Sequence, residues 1–235
     1  MSAGTAELVA DELEVLRRMV PLAGARVADI GCGDATLSRR LLAPGMAASV
    51  AALEVDRAQH AKNLAAPPVA GLSFHLAPAD ALPFADASFE VALMLKSLHH
   101  VPVARLDAAL VEVARVLAPG GLLYVSEPVF AGPFNEVMRV FHDEEAVRAA
   151  ALEALHRAAA RGVLEAVEER CFDTPIAFRD FDDFAARMMR VTHTALAPDA
   201  ATVAAVRRRF EAHLGPGGAR FVRPMRVNLM RRPVR

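Results

Sequence analysis

Apolar residues recur along the chain at two spacings, and the two alternate. Leu8, Leu13, Leu16 and Val20 fall at helical intervals before Pro21, which predicts a helix over residues 5–20. Arg26-Val27-Ala28-Asp29-Ile30 then reads as a short strand entering Gly31-Cys32-Gly33, and a helix over 35–42 stops at Pro44-Gly45. The alternation continues with a strand at 49–55, a helix at 57–66 ended by Pro67-Pro68, and a short strand at 71–75. The run from Phe89 to Leu95 suits a strand covered on both faces. A helix over 102–117 follows, with Leu106, Leu110, Val113 and Leu117 on one side, and Ala118-Pro119-Gly120-Gly121 leads into a strand at 122–126.

Strand and helix in turn through residue 128 predict an α/β fold. Its sheet is parallel with right-handed crossovers, and such sheets bind ligands at the carboxyl ends of their strands. Beyond Pro128 the pattern changes. Residues 135–161 are mostly helical but stumble near His142-Asp143-Glu144, so one helix and two fit equally. Val163 to Phe172 alternates as a strand does, and 181–190 and 199–214 read as helices. Asp199 caps the second of these, with Val203, Val206, Phe210 and Leu214 inward. Residues 219–230 form a final strand, in which Pro224 cannot donate to a ladder and belongs at the strand start or a bulge.

Composition narrows the class. The 235 residues are enough for one sizeable core, and 54% hydrophobic content, though inflated by alanine, excludes a disordered chain. A net charge of −1 does not suit a protein that coats nucleic acid. No apolar stretch reaches the roughly 18 to 20 residues of a membrane helix. The acidic opening MSAGTAELVADELEVL lacks the pattern of a signal peptide, so the expected location is cytoplasmic. Cys32 and Cys171 lie too far apart to suggest a disulfide framework or a structural zinc site. Of 27 basic residues only Lys62 and Lys96 are lysines.

The chemistry concentrates at the first strand–turn–helix. Two glycines let backbone N–H groups approach a ligand, and the following helix adds its dipole. A dinucleotide fingerprint would need Gly or Ala at position 36; Thr36 stands there, which disfavours a nicotinamide cofactor.

Asp29-x-Gly31-x-Gly33-x-Ala35 resembles motif I of the class I S-adenosylmethionine-dependent methyltransferases, with Ala35 in place of the third glycine. Three further segments resemble the same family in order. They are Ala51 to Asp56, Pro78 to Phe84 followed by Ser88-Phe89-Glu90, and Leu98-His99-His100-Val101 with Arg115 to Gly121. The resemblance covers residues 26–128. It implies a Rossmann-like sheet of seven strands, the last antiparallel, with helices on both faces and a helical insertion over the active site. The implied organisation is an N-terminal helix (1–25), a cofactor-binding core (26–128), a substrate-covering region with a sixth strand (129–215), and a last strand with a basic tail (216–235).

The implied cofactor is S-adenosylmethionine, with S-adenosylhomocysteine as product. The implied cofactor residues are Asp29, Gly31, Cys32, Gly33, Glu54, Val55, Asp80, Ala81, Leu82 and Lys96. Glu54 would take the ribose hydroxyls, with Asp56 as the alternative one register away. Asp80 and the Ala81 N–H would take the adenine. The implied reaction is in-line methyl transfer to a small molecule, where the enzyme orients donor and acceptor and supplies a base only if the acceptor carries a proton.

Candidate catalytic residues are His100, His99, Glu127 and Lys96. His100 is the first choice for base because imidazole titrates near neutral pH, while either histidine could instead cap a helix. Lys96 could face the cofactor or snorkel to nearby carbonyls. Glu127 could hold a substrate or pair with an arginine.

His142, Asp143, Glu144 and Glu145 could join the histidines as metal ligands, but acids at a helix start are the simpler reading, and no metal is expected. Met188-Met189 and Phe172, Phe178, Phe181 and Phe184 fit either an apolar pocket or plain core. Nine arginines after residue 200, from Arg207 to Arg235, face only Glu211, and read as a solvated face and loose tail rather than an RNA surface. No membrane partner is expected and a homodimer is possible. An RNA methyltransferase and a non-catalytic S-adenosylmethionine-binding regulatory protein are the alternatives.

Overall fold

Neighbouring residues of the central strands face different layers. In β2 (Arg26–Ile30) Val27 enters one core, while Ala28 and Ile30 enter the other. In β5 (Phe89–Leu95) Val91 and Leu93 oppose Ala92 and Met94 in the same way. Strands buried on both faces need helices above and below them, and the computed structural model, which describes residues 7–189 and 198–234, has that three-layer form.

In chain order the elements begin with β1 (Glu7–Leu8), α1 (Glu12–Met19), β2, α2 (Thr36–Arg40), β3 (Ser49–Glu54), α3 (Arg57–Ala65) and β4 (Leu72–Leu76). Next come β5, α4 (Leu106–Val116), β6 (Leu117–Pro128), α5 (Gly132–Met138), α6 (Glu145–Ala160) and β7 (Glu165–Phe178). The remainder are α7 (Phe181–Phe184), α8 (Ala200–Glu211), β8 (Leu214–Gly215) and β9 (Gly218–Arg231). The sheet order is β1-β7-β9-β6-β5-β2-β3-β4, with β8 on β9. β9 runs antiparallel between β6 and β7, and the remaining pairs from β6 to β4 are parallel.

The sheet therefore has nine strands where seven were expected, because the two-residue β1 and β8 add to its edges. The first helix starts at Glu12, not residue 5. Asp11 caps it by accepting from Leu13 N, and Leu8 lies outside it in β1, 61% exposed. Residues 135–161 hold two helices, α5 and α6. Asp199 caps α8 as expected, accepting from Thr202 N, with Val206 and Phe210 buried. Leu214, by contrast, is in β8 and exposed. Residue 190 and Arg235, at the ends of a predicted helix and tail, lie outside the described residues.

Pro224 sits at neither a strand start nor a bulge. It pairs with Asp173 inside β9, one residue past the last β6 partner, Met225 opposite Pro128. Its carbonyl accepts from Val129 N, so its nitrogen faces an edge that β6 has just left and no ladder bond is lost.

The phenylalanines Phe178, Phe181 and Phe184 join Phe134, Phe210, Phe221 and Met189 in a third core beneath the residues after 128, while Phe172 packs in the α1 layer. No helix among the described residues is long and apolar enough to cross a membrane.

Candidate functional site

The turn after β2 is shaped by contact and by backbone sign. Gly31 has φ +79°, and a Cβ there would lie 2.5 Å from the Cβ of Ser97. Ser97 is itself fixed, its Oγ donating to the Ile30 carbonyl at 2.7 Å. Gly33 has φ +55° with nothing within 4 Å of a built Cβ, so its backbone is open to the space beyond. Ala35 takes the left-handed conformation (φ 57°) that a glycine would hold more easily. α2 is only five residues long, so the turn offers close backbone approach rather than a long helix dipole.

Beside the turn lies a cavity of about 860 Å³, lined by residues from the carboxyl ends of β2, β3 and β5. Gly31, Cys32, Gly33, Glu54, Val55, Asp80, Lys96 and His100 line it, as do Asp56 and Ser97. Glu54 organises the wall. Its Oε2 accepts from Gly33 N at 3.0 Å, and its Oε1 from Val55 N at 2.8 Å and Asp56 N at 2.9 Å. A carboxylate has about four acceptor sites, so one remains, on Oε2. Asp56 caps α3 by accepting from Ala58 N and Gln59 N. Val55, 63% exposed, presents an apolar face. Asp80 accepts from Arg105 Nη1 at 3.0 Å through Oδ2.

Three predicted cofactor residues do not line this cavity. Asp29 is buried below it, accepting from Ser38 Oγ at 2.5 Å; burial pushes its carboxyl up to about 6. Ala81 N donates to the Pro78 carbonyl and Leu82 N to Glu112 Oε1, so both N–H groups serve the local turn. Cys32 does line it, but burial, reinforced by Asp29 and Glu54, pushes its thiol well up, which removes it as a nucleophile.

A second cavity, of about 340 Å³, opens on the far side of Lys96 and His100, and these two residues line both spaces. Its other walls come from the start of the segment after β6, from α5 and α6, and from β9. Lys96 has φ +55°, a conformation that costs a non-glycine residue about 1 kcal/mol or more. The strain is offset by two bonds. Lys96 N donates to the Ser126 carbonyl, and Nζ donates to Glu12 Oε2 at 2.7 Å.

Residues 28–125 match the family model described as a methyltransferase domain. Among curated relatives, the chain is 35% identical over 137 residues to an O-methyltransferase of Penicillium expansum, covering 55% of this chain and 48% of that protein. The chain thus spans about half the length of this relative. An S-adenosylmethionine-dependent methyltransferase structure from Mesorhizobium loti superposes with a TM-score of 0.54 at 20% identity, covering 94% of this chain and 97% of that one. The structure of the cyclase SpnF gives 0.65 at 21% identity, covering 100% and 89%, which shows a shared fold. Residues 28–125 are thus similar to the methyltransferase-domain family, and the fold is that of the S-adenosylmethionine-dependent methyltransferase structure.

Beside this site the two neighbouring histidines have separate environments. His99 lines the second cavity with both ring nitrogens engaged: Nδ1 with Glu127 Oε2, and Nε2 with Glu144 Oε1 at 3.5 Å. Burial alone would lower its pKa, but the bonds to Glu127 and then Glu144 outweigh burial and raise it to about 9. Glu127 is tied further by Leu98 N at 2.9 Å and His99 N at 3.3 Å. It lines neither cavity. The His100 ring lies against that of His99, tilted by 41° with centroids 4.1 Å apart, and lines both spaces.

His99, His100 and Glu144 bring ligand atoms within 4.8 Å of one another. A cation there would face Arg148, which donates to the other Glu144 oxygen at 2.5 Å, and would have to displace the His99 proton. The donor types are those of a zinc site, but both His99 nitrogens and both Glu144 oxygens are already engaged.

Four residues at or beside the two cavities escape the sequence pattern. Glu12 reaches Lys96 from 84 residues away, and Asn135, Arg148 and Arg223 line the second cavity. Arg223 belongs to the arginine run read as a solvated face. Others of that run do stay outside: Arg207 lies over Phe181 with Asp182 and Glu211, and Arg232 bonds the Arg115 and Leu117 carbonyls.

Proposed function

We propose that this chain is an O-methyltransferase for a small molecule, using S-adenosylmethionine in the larger cavity and holding the acceptor in the smaller one. The observation that carries the reading is the shared wall: among the described residues Lys96 and His100 alone line both spaces, so transfer between them passes at these side chains. The choice of oxygen follows the name of the Penicillium relative.

When bound, S-adenosylmethionine supplies a methyl group made electrophilic by its sulfonium. The open Gly33 backbone, the remaining Glu54 acceptor site and the Val55 face suit its amino-acid, ribose and ring portions. Because Glu54 has one free site, it takes a single hydroxyl while its backbone bonds last. Asp80, with Oδ1 outside its bond to Arg105, is the acceptor for an exocyclic amino group. His100 accepts the acceptor's hydroxyl proton as the new C–O bond forms. His99, kept protonated between Glu127 and Glu144, is a positioning residue that fixes the His100 ring. The residues after β6, with α5 and α6, cover the acceptor, excluding water. We assign the protein to the cytoplasm, where Cys32 and Cys171 stay thiols.

Calorimetric titration with S-adenosylhomocysteine tests the donor site. Glu54→Ala, which frees three N–H groups as well as removing the hydroxyl partner, should weaken binding at least about tenfold, and Asp80→Ala about as much. Equal affinity in all three proteins would remove the assignment. His100→Ala should lower kcat by about 10² and change its pH profile, with S-adenosylhomocysteine affinity unchanged. An unaltered profile would exclude His100 as base.

A further inference from the structure

The second cavity has an uncompensated positive charge in its wall. Lys96, Arg148 and protonated His99 each have a carboxylate partner, respectively Glu12, Glu144 and Glu127. Arg223 forms no ion pair with any described carboxylate, and its Nε is buried without a hydrogen-bond partner. Burial pushes its pKa down, with Arg148 adding to the effect and Glu12 opposing it. A half-buried guanidinium with its Nε unpartnered and no anion beside it is costly to maintain.

A second group points the same way. Asn135 is 5% exposed, and its Oδ1 accepts from Arg148 Nη1 at 3.2 Å. That bond leaves Nδ2 as a donor, and Nδ2 is buried with no partner. Arg223 Nε and Asn135 Nδ2, one cationic and one neutral, thus join Arg148 Nε as orphaned donors on residues that line one space of about 340 Å³. None of these residues lines the donor cavity, so their ligand sits off the line of methyl transfer.

We propose that the methyltransferase selects an acceptor bearing a carboxylate distinct from the methylated oxygen, anchored by Arg223 and the Asn135 amide. One carboxylate neutralises the excess charge and accepts from the orphaned Arg223 and Asn135 N–H groups. It also holds the acceptor hydroxyl toward His100. This rests on reading the second cavity as the acceptor site.

Benzoate and 4-hydroxybenzoate, with their methyl esters as neutral controls, are titrated calorimetrically into the full chain with and without S-adenosylhomocysteine. The acids should bind at least about tenfold tighter than the esters. Arg223→Gln should abolish the preference, and Arg223→Lys should keep part of it. Asn135→Asp, which keeps the Arg148 contact but replaces the donor by an acceptor, should abolish it with the melting temperature maintained. Esters that bind as well as acids, no acid binding at millimolar concentration, or a preference surviving Arg223→Gln would each overturn the proposal. Absence of S-adenosylhomocysteine binding to the wild type would instead count against the donor reading, and the titration without it still scores the acid preference.

Discussion

Gly31 marks the closest approach of two strand ends, with its missing side chain replaced by Ser97. Alanine there meets both a steric overlap at 2.5 Å and a positive φ, so Gly31→Ala should destabilise the protein by about 2 kcal/mol or more. Adding Ser97→Gly removes the overlapping Cβ and should restore part of the loss, leaving about 1 kcal/mol from the backbone. Urea melts of the single and double variants separate the two causes. If the double variant is no more stable than Gly31→Ala, steric overlap is not the reason for the glycine.

Lys96 shows how an element far away in sequence completes a site. α1 starts where Asp11 caps it, and that cap puts Glu12 in the first turn, facing Lys96. Glu12→Gln keeps the shape but removes the charge. It should lower turnover about tenfold by loosening the ammonium, while costing on the order of 1 kcal/mol in stability. Unchanged turnover would make the pair purely structural.

Much at the scale of elements was legible in the sequence. Strand–helix alternation from Arg26 to Ser126 follows from apolar runs punctuated by Gly and Pro, and each predicted element there exists with shifted ends. Those ends shifted where tertiary pairing overrode local signals. β7 continues through Asp173-Thr174-Pro175, a turn-like triplet, because β9 pairs with every one of them. The glycine turn, Glu54 and the paired histidines were visible as motifs. Glu12, Asn135 and Arg223 were not, because a single residue brought in by a distant helix or strand leaves no periodic trace. His99 and His100 look equivalent in sequence, and only burial between Glu127 and Glu144 separates their roles.

For the molecule as a whole, that buried contact makes stability depend on pH. The folded pKa of His99 is raised to about 9 from its ordinary 6.5. Its contribution is therefore fully present below pH 6.5 and is lost as pH rises toward 9, by on the order of 3 kcal/mol. Glu144, which burial alone would raise, is held down to about 2 by His99, Arg148 and His142. The same contact is therefore also lost as pH falls from 4.5 toward 2. Denaturation midpoints should be highest between these windows and decline above pH 6.5. His99→Gln should flatten the alkaline decline; an equally steep decline in that variant would place its origin elsewhere.

The position of β9 has a consequence for the order of assembly. A ribosome releases β6 and β7 before β9, yet β9 lies between them. Until it inserts, β6 presents an open hydrogen-bonding edge and β7 has no partner on that side, the condition in which nascent sheets mispair. The residues that line the donor cavity all fall between Ile30 and Pro102, so they emerge before β6. The acceptor cavity waits for Arg223, so capacity to hold a donor precedes capacity to choose an acceptor.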